Sequence, residues 1–129
     1  MTCVRILRVN DKNVLVLASN SPRRKQLLGL GNWNFVVNVA DIDETALDGE
    51  TPKEYVIRLA QEKALAVKDK ANAENIIIGS DTTVVVDDEI LGKPIDEDDA
   101  ERMLKQLRGR THQVYTGIAL YRILDGKIL

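Results

Sequence analysis

The sequence predicts a single α/β domain, and three observations support that fold class. Short apolar runs typical of buried strands alternate with segments of helical periodicity. The length of 129 residues fits one domain. Hydrophobic residues make up 44% of the chain and charged residues 29%, so the chain carries enough apolar side chains for one core.

The chain begins with a predicted strand, helix and strand. Residues 14–18 (VLVLA) and residues 35–39 are apolar runs that suit buried strands. Between them, Ser21 is a good N-cap and Pro22 suits the first helical position, so we expect a helix that ends near Gly29 or Gly31.

An acidic loop over residues 40–50 leads into a second predicted helix. Thr51 and Glu54 have the spacing of a capping box, with Pro52 at the first helical position. Apolar residues then recur at helical spacing and predict one buried face, formed by Val56, Leu59, Ala60, Ala64 and Val67.

The second half of the chain mixes strands with turns. Residues 76–78 predict a strand with the polar segment 79–82 at its carboxyl end, and residues 83–86 resume strand character. Asp87-Asp88 indicates a hairpin into residues 89–91. A last helix is predicted between Asp96 and Gly109, with one apolar face formed by Ala100, Met103, Leu104 and Leu107.

A long predicted strand, residues 113–124, is followed by Asp125-Gly126, a two-residue hairpin signal. Only residues 127–129 remain for the return strand. Most of one side of the long strand would then be unpaired, and such an edge invites pairing with another chain. We therefore expect a homodimer.

Charge and composition narrow the function classes. The net charge of −2 argues against a general nucleic-acid partner. No apolar run approaches the length of a membrane span, so we expect no membrane partner. The one cysteine, Cys3, allows no intramolecular disulfide, and the first ten residues lack a signal-peptide core. These observations predict a cytoplasmic protein.

Ser21, Arg23 and Arg24 lie where the first strand leads into the first helix. A helix N-terminus presents free N–H groups and the positive end of the helix dipole, and arginine forks match phosphate oxygens. The residues thus form a candidate phosphate site. A capped surface helix with two solvated arginines explains them equally well.

Two acidic residues and two lysines are further candidates. Asp81 follows a predicted strand and Gly79, a position suited to ligands or metal, and Glu44 in the acidic loop offers a hard oxygen ligand for Mg²⁺ or Mn²⁺. Lys63 and Lys93 could each reach a phosphate as a point charge. Taken one at a time, a turn aspartate, a solvated acidic loop and solvated lysines are the simpler interpretations.

Two other site types are weaker. His112 is the only histidine, which does not support a zinc site. Asp41 and Asp43 after an apolar run match the opening motif of haloacid-dehalogenase-type phosphatases, with Asp87-Asp88 as a later acidic pair. Only about forty residues separate these motifs, too few for the several βα units of that fold.

Six motifs in order give the chain its resemblance to the Maf family of nucleotide pyrophosphatases. They run from residue 14 to about residue 120, and each is weak alone. The motifs are Leu17-Ala18-Ser19-Asn20-Ser21-Pro22-Arg23-Arg24 with Leu27-Leu28, Asp43-Glu44-Thr45, Leu59-Ala60-Gln61-Glu62-Lys63-Ala64, Gly79-Ser80-Asp81-Thr82, Leu91-Gly92-Lys93-Pro94, and Met103-Leu104 through Leu107, Gly109, His112 and Val114 to Thr116-Gly117.

The resemblance implies a mixed sheet with flanking helices of the inosine-triphosphatase type, with two lobes around a cleft. It implies metal-dependent cleavage of a nucleoside triphosphate between its α and β phosphates, with Mg²⁺ or Mn²⁺ as cofactor. It assigns Asp81 as the base for the attacking water and Glu44, with Asp81, to the metal. It assigns phosphate contacts to Ser21, Arg23, Arg24, Lys63 and Lys93, and counts both lysines among the catalytic residues.

Arg24 and Thr82 resemble the branch of the family that acts on dTTP and UTP, and both would contact substrate. A glutamine that contributes to specificity late in the family chain has no counterpart in this sequence. By the resemblance, residues 1–13 form an N-terminal extension and residues 14–129 a family domain that is short at its end, either a fragment or a natural short form. A non-catalytic nucleotide-binding module remains an alternative, because the family is associated with septum formation.

Overall fold

The computed structural model describes residues 15–129, which form a mixed α/β domain. This confirms the predicted fold class. Val14 and Cys3 lie outside the described residues. The elements, in chain order, are β1 (Leu15–Leu17), α1 (Pro22–Gly29), β2 (Phe35–Val37), α2 (Pro52–Ala66), a 3₁₀ turn (Lys68–Lys70), β3 (Ile76–Val86), β4 (Glu89–Leu91), α3 (Glu97–Leu107), β5 (Gln113–Arg122) and β6 (Lys127–Ile128).

The strands form one six-stranded sheet. Five of them are neighbours in the order β2-β1-β3-β5-β6, and β4 pairs with another part of β3. β1 is parallel to both β2 and β3. β3 is antiparallel to β4 and β5. The sheet is therefore parallel on the side of the strand–helix–strand unit and antiparallel on the hairpin side.

Helix α2 packs against one face of this sheet. Its capping box is formed as predicted, with the Thr51 side chain accepting from the Glu54 backbone N–H at 3.2 Å and Glu54 accepting from the Thr51 N–H at 2.9 Å. The predicted apolar face is buried. Val56, Leu59, Ala60 and Ala64 lie within the helix, and Val67 caps its end.

Two glycines in the sheet allow α2 to come this close. A Cβ atom on Gly79 would lie 2.0 Å from the Ala60 carbonyl oxygen, and one on Gly117 would lie 2.3 Å from the Val56 carbonyl oxygen. Any side chain at either position would push the helix away from the sheet. Gly79 therefore serves close packing inside a strand rather than a turn.

The strand that contains Gly79 differs from the prediction. The structure has one continuous strand, β3, where the sequence predicted a strand, a polar segment and a second strand. The physical reason is β5, which pairs with β3 without interruption from Ile76 to Val85 and satisfies the backbone of the polar segment. Asp81 thus lies inside a strand, and its predicted place at the end of β3 is wrong.

The last hairpin also differs from the prediction. β5 ends at Arg122, which pairs with Lys127, so the turn spans four residues rather than two. Asp125 accepts hydrogen bonds from the Arg122 guanidinium and from the Lys127 N–H, and these contacts stabilise the longer turn. By contrast, the two-residue turn at Asp87-Asp88 is confirmed, with φ values of 50° and 62°.

Helix α3 is capped by Asp96 as predicted, but its apolar face is not a core face in the described part of the chain. The helix has no buried residue, and Leu104 is 67% exposed. A further apolar surface lies on the side of the sheet opposite α2, where Val114 and Ile118 of β5 are exposed.

Within residues 15–129, no helix is both long enough and apolar enough to cross a lipid bilayer.

Candidate active site

The candidate site lies at a fork along one edge of β3. β1 pairs with β3 at Ile76–Ile78, and β4 pairs with the same edge at Val84–Val86. Between these two pairings, residues 79–83 have no strand partner on this edge within the described part of the chain. Asp81 lies in this gap, just past the carboxyl end of β1. Asp81 is therefore next to the carboxyl end of a strand, a position suited to ligands, but that strand is β1 rather than β3.

Lys63 joins two carboxylates in this gap. Its Nζ donates to Asp81 Oδ1 at 2.7 Å and lies 2.9 Å from Glu44 Oε1. The side chains of Lys63 and Asp81 are 17% and 10% exposed. α2 places Lys63 here because Ala60 and Ala64, on either side of it along the helix, pack on the sheet at Gly79. Three residues predicted from separate motifs are thus brought together.

The charges of this cluster support one another. The hydrogen bond from Lys63 lowers the pKa of Glu44 below its ordinary value, against the opposing effect of burial. Burial by itself would lower the pKa of Lys63, but the hydrogen bonds to Asp81 and Glu44 outweigh it and raise that pKa. Both groups therefore stay ionised near neutral pH, so Lys63 and Glu44 form an ion pair beside Asp81.

Lys93 reaches the same cluster more loosely. It follows β4, and its Nζ lies 3.9 Å from Glu44 Oε2 while its side chain is 89% exposed. At this exposure an ion pair contributes little to stability. The lysine is therefore available to a ligand entering from solvent.

The phosphate-binding candidates lie at the start of α1. Ser21 is the N-cap, and its Oγ accepts from the Arg24 N–H at 3.4 Å, which confirms the predicted cap. Arg23 is exposed, and its side chain has no hydrogen bond or ion pair with any residue from 15 to 129. Its guanidinium is free to meet an anion.

Arg24 behaves differently from Arg23. Its Nη1 donates to Ser19 Oγ at 3.1 Å and to the Ser80 carbonyl oxygen at 3.0 Å, and its Nη2 donates to Thr82 Oγ1 at 3.0 Å. Thr82 Oγ1 in turn lies 3.0 Å from Thr116 Oγ1. Arg24 thus connects the start of α1 to β3, with most of its donors already used.

These residues surround a cleft of about 750 Å³, a size suited to a small-molecule ligand. Every predicted site residue except Arg23 lines it. The cleft-lining members of the predicted set are Ser21, Arg24, Glu44, Lys63, Asp81, Thr82 and Lys93. Arg23 lines an adjoining cavity of about 740 Å³ that also includes Arg24 and Thr82.

Sequence reasoning missed four residues that shape the site. Ser19 is buried beneath Arg24, and Thr116 contacts Thr82 across the sheet. Tyr55 and Arg58 bind the acidic loop from α2. Two sequence signals were available: Ser19 and Thr116 stand in the family motifs, and Arg58 and Glu62 have the four-residue spacing of a helical ion pair. The contacts from Tyr55 and Arg58 to the loop, and from Thr116 to Thr82, join residues that are distant in sequence.

The carboxylates of the cleft suit a divalent cation that is also bound by the phosphates of a substrate. Glu44 and Asp81 are the two carboxylates, and one ammonium already lies between them. Mg²⁺ typically uses one or two carboxylates together with substrate phosphates. Among residues 15–129 there is no cluster of three or more acidic, histidine or cysteine side chains that could hold a metal without such a ligand.

The dehalogenase-type interpretation has no support in this geometry. Asp87 lies in the β3–β4 turn, and its carboxylate pairs with Arg110. Asp41 lines the cleft, but Asp43 does not; its Oδ1 accepts from the Thr45 N–H at 2.9 Å. His112 is exposed at the start of β5 and does not line the cleft.

Comparison with known proteins decides the family. The model of the Maf-like protein family matches residues 14–127. The chain belongs to the Maf-like family. A dTTP/UTP pyrophosphatase of Clostridioides difficile (strain 630) is 51% identical over 113 residues, which are 88% of this chain and 58% of that relative. One of the same name from Myxococcus xanthus (strain DK1622) is 50% identical over 110 residues, 85% of this chain and 56% of the relative.

The matched Maf-like segment thus covers somewhat more than half of each of these relatives. A solved nucleoside-triphosphatase / dITP/XTP pyrophosphatase from Mycobacterium abscessus aligns over 89% of this chain and 68% of that one, at 13% identity with a TM-score of 0.44. A likeness at that level does not establish a shared fold. The family membership rests on the sequence match.

Proposed function

We propose that the chain hydrolyses a nucleoside triphosphate of the dTTP and UTP type to the monophosphate and pyrophosphate. The observation that carries the proposal is the Glu44–Lys63–Asp81 cluster in a cleft that also includes the N-terminus of α1. Membership of the Maf-like family and the names of relatives at about 50% identity support the same activity.

The proposed reaction is attack of water on the α phosphorus. The water oxygen forms a bond to phosphorus, Asp81 takes the proton, and the bond from phosphorus to the α–β bridging oxygen breaks to release pyrophosphate. Asp81 suits this role because its Oδ1 is held by Lys63, which fixes the orientation of the carboxylate. Phosphoryl chemistry depends mainly on positioning and charge neutralisation, and this cleft supplies both.

The cations divide between the two ends of the triphosphate. Lys63 and Lys93 lie beside Glu44, while Ser21 and Arg23 present the helix N-terminus and a free guanidinium. A bound Mg²⁺ or Mn²⁺ would add charge neutralisation at the phosphate oxygens, with Glu44 and Asp81 as its protein ligands.

The preference for dTTP and UTP is assigned to Arg24 and Thr82. Their side chains bond to one another at 3.0 Å where the main cleft meets the adjoining cavity, so they can act together on a group placed there. The names of the two relatives support this pyrimidine preference.

The deciding experiment is a product assay across a panel of nucleoside triphosphates, with Mg²⁺, Mn²⁺ or chelator. We expect pyrophosphate, with dTTP and UTP as the best substrates and no turnover in chelator. Release of orthophosphate would contradict the proposal. Tight nucleotide binding without any product would instead support a non-catalytic nucleotide-binding module.

We also propose that the 129-residue chain forms a homodimer through β5. β6 pairs with Tyr121 and Arg122, and Leu129 exchanges two backbone hydrogen bonds with Leu120, so residues 113–119 of that β5 edge have no strand partner within the described residues. The neighbouring side chains of Val114 and Ile118 are exposed and apolar. Two copies of the edge can pair around a two-fold axis. Light scattering tests the proposal, and a monodisperse monomer would contradict it. The cytoplasmic location stays a prediction from the sequence.

A further inference from the structure

The loop that carries Glu44 has no regular secondary structure, yet its backbone is held at two successive residues. It connects β2 to α2. The Tyr55 hydroxyl donates to the Glu44 carbonyl oxygen at 2.7 Å, and Arg58 Nη2 donates to the Thr45 carbonyl oxygen at 3.1 Å. Tyr55 and Arg58 lie one turn apart on α2, the helix that also carries Lys63.

Arg58 holds the end of the same loop as well. Its Nε donates to Glu50 Oε1 at 2.6 Å and its Nη2 to Glu50 Oε2 at 2.9 Å, a two-point contact. Glu50 Oε2 also accepts from the Leu47 N–H at 3.0 Å. The guanidinium therefore bridges the middle and the end of the loop, and Glu50 in turn binds the loop backbone at Leu47.

The bridging groups are themselves fixed. Glu62 accepts from Arg58 Nη1 at 3.2 Å, and the guanidinium carbon lies 5.7 Å from the centre of the Tyr55 ring. The Tyr55 ring is buried with Val56 and Leu59. The hydrogen bond from Arg58 lowers the pKa of Glu50 to about 2, so Glu50 stays ionised near neutral pH.

We propose that Tyr55 and Arg58 are positioning residues that hold the loop so that the Glu44 carboxylate faces Lys63 and the cleft. The inference rests on the proposed function, in which Glu44 binds a divalent cation. Without these two side chains, Glu44 would have to be brought to the cleft from a loop with many conformations each time a ligand binds. Partners that orient a metal ligand typically change metal affinity or activity by about 10–100-fold when removed.

Tyr55→Phe is the sharpest test, because it removes one hydroxyl and keeps the buried ring. We expect the Kd for Mn²⁺ alone, measured by electron paramagnetic resonance without nucleotide, to rise by about 10-fold or more. We expect kcat for pyrophosphate release to fall, with a smaller change in KM. A role in stability alone would lower Tm and leave the Mn²⁺ Kd unchanged.

Tyr115→Phe is the matched control. Tyr115 packs against the same apolar cluster, and its hydroxyl donates to Gln113 Oε1 at 3.2 Å, away from the loop. It should leave Mn²⁺ binding and kcat at wild-type values. Arg58→Lys separates geometry from charge, because lysine keeps the charge but lacks the planar fork. We expect Arg58→Lys to bind Mn²⁺ more weakly and to have a lower kcat than wild type, as Tyr55→Phe does.

Hydrogen–deuterium exchange over residues 43–50 measures how well the loop backbone is held, and it needs neither metal nor substrate. Faster exchange in Tyr55→Phe and Arg58→Lys, but not in Tyr115→Phe, supports the proposal. Unchanged exchange, or unchanged Mn²⁺ affinity and kcat in both variants, overturns it. If the wild-type chain releases no pyrophosphate while the variants still loosen the loop and weaken Mn²⁺ binding, the proposed function fails and the positioning role stands.

Discussion

Asp81→Asn tests the assignment of the general base. The substitution keeps the shape of the side chain and one hydrogen-bond acceptor for Lys63, but it removes the negative charge and the capacity to take a proton. Lys63 keeps its other partner, Glu44, at 2.9 Å. The change is therefore confined to the group that is proposed to activate water.

The structure sets the expected magnitudes. Loss of a positioned general base costs about 10²–10⁴ in rate, so kcat should fall by at least about 100-fold. The 2.7 Å contact with Lys63 is weakened rather than lost, and a hydrogen bond to a charged group contributes at most about 3 kcal/mol. Domains of this kind are stable by about 5–15 kcal/mol, so the variant should remain folded.

The assay compares pyrophosphate release in a single turnover with equilibrium binding of a non-hydrolysable triphosphate. The control is Asp87→Asn, at the far end of β3, where asparagine tolerates the φ of 50° and only an exposed pair with Arg110 is lost. We expect full activity in the control and intact binding in Asp81→Asn. If folded Asp81→Asn keeps more than about a tenth of the wild-type rate, Asp81 is not the base.

Three further predictions concern specificity, packing and pH. Arg23→Ala should reduce kcat/KM for dTTP, UTP and CTP alike, whereas Arg24→Ala should change their ratios; equal losses in both variants would remove the distinction. Gly79→Ala should destabilise by about 3 kcal/mol or more in urea unfolding, because its Cβ meets the backbone of α2, whereas Gly29→Ala, with nothing within 4 Å, should not destabilise. Because the folded pKa of Glu44 is lowered from 4.5, its stabilising effect is complete above that value and is lost as pH falls through the folded pKa. The difference in unfolding free energy between wild type and Glu44→Gln should therefore be constant near neutral pH and shrink below about pH 4.5; a constant difference down to pH 3 would contradict this reasoning.

Much of the fold follows from local sequence signals. The caps at Ser21, Thr51 and Asp96 were predicted because each depends on side chains within three residues of a helix start. The α/β class and the buried face of α2 follow from periodicity, which is also local. The motifs that carry the family resemblance include most of the predicted cleft-lining residues, since those residues lie in short segments that occur in the family's order.

Long-range pairing decided the rest. Only the alignment of β5 shows that residues 79–82 continue a strand, because the polar segment has no local preference strong enough to override ten consecutive strand pairs. Likewise, the two contacts that hold the acidic loop join Tyr55 to a carbonyl eleven residues away and Arg58 to one thirteen residues away. Every residue has the same backbone carbonyl group, so no sequence pattern predicts such a contact. It becomes visible only when α2 and the loop are placed side by side by the packing of the sheet.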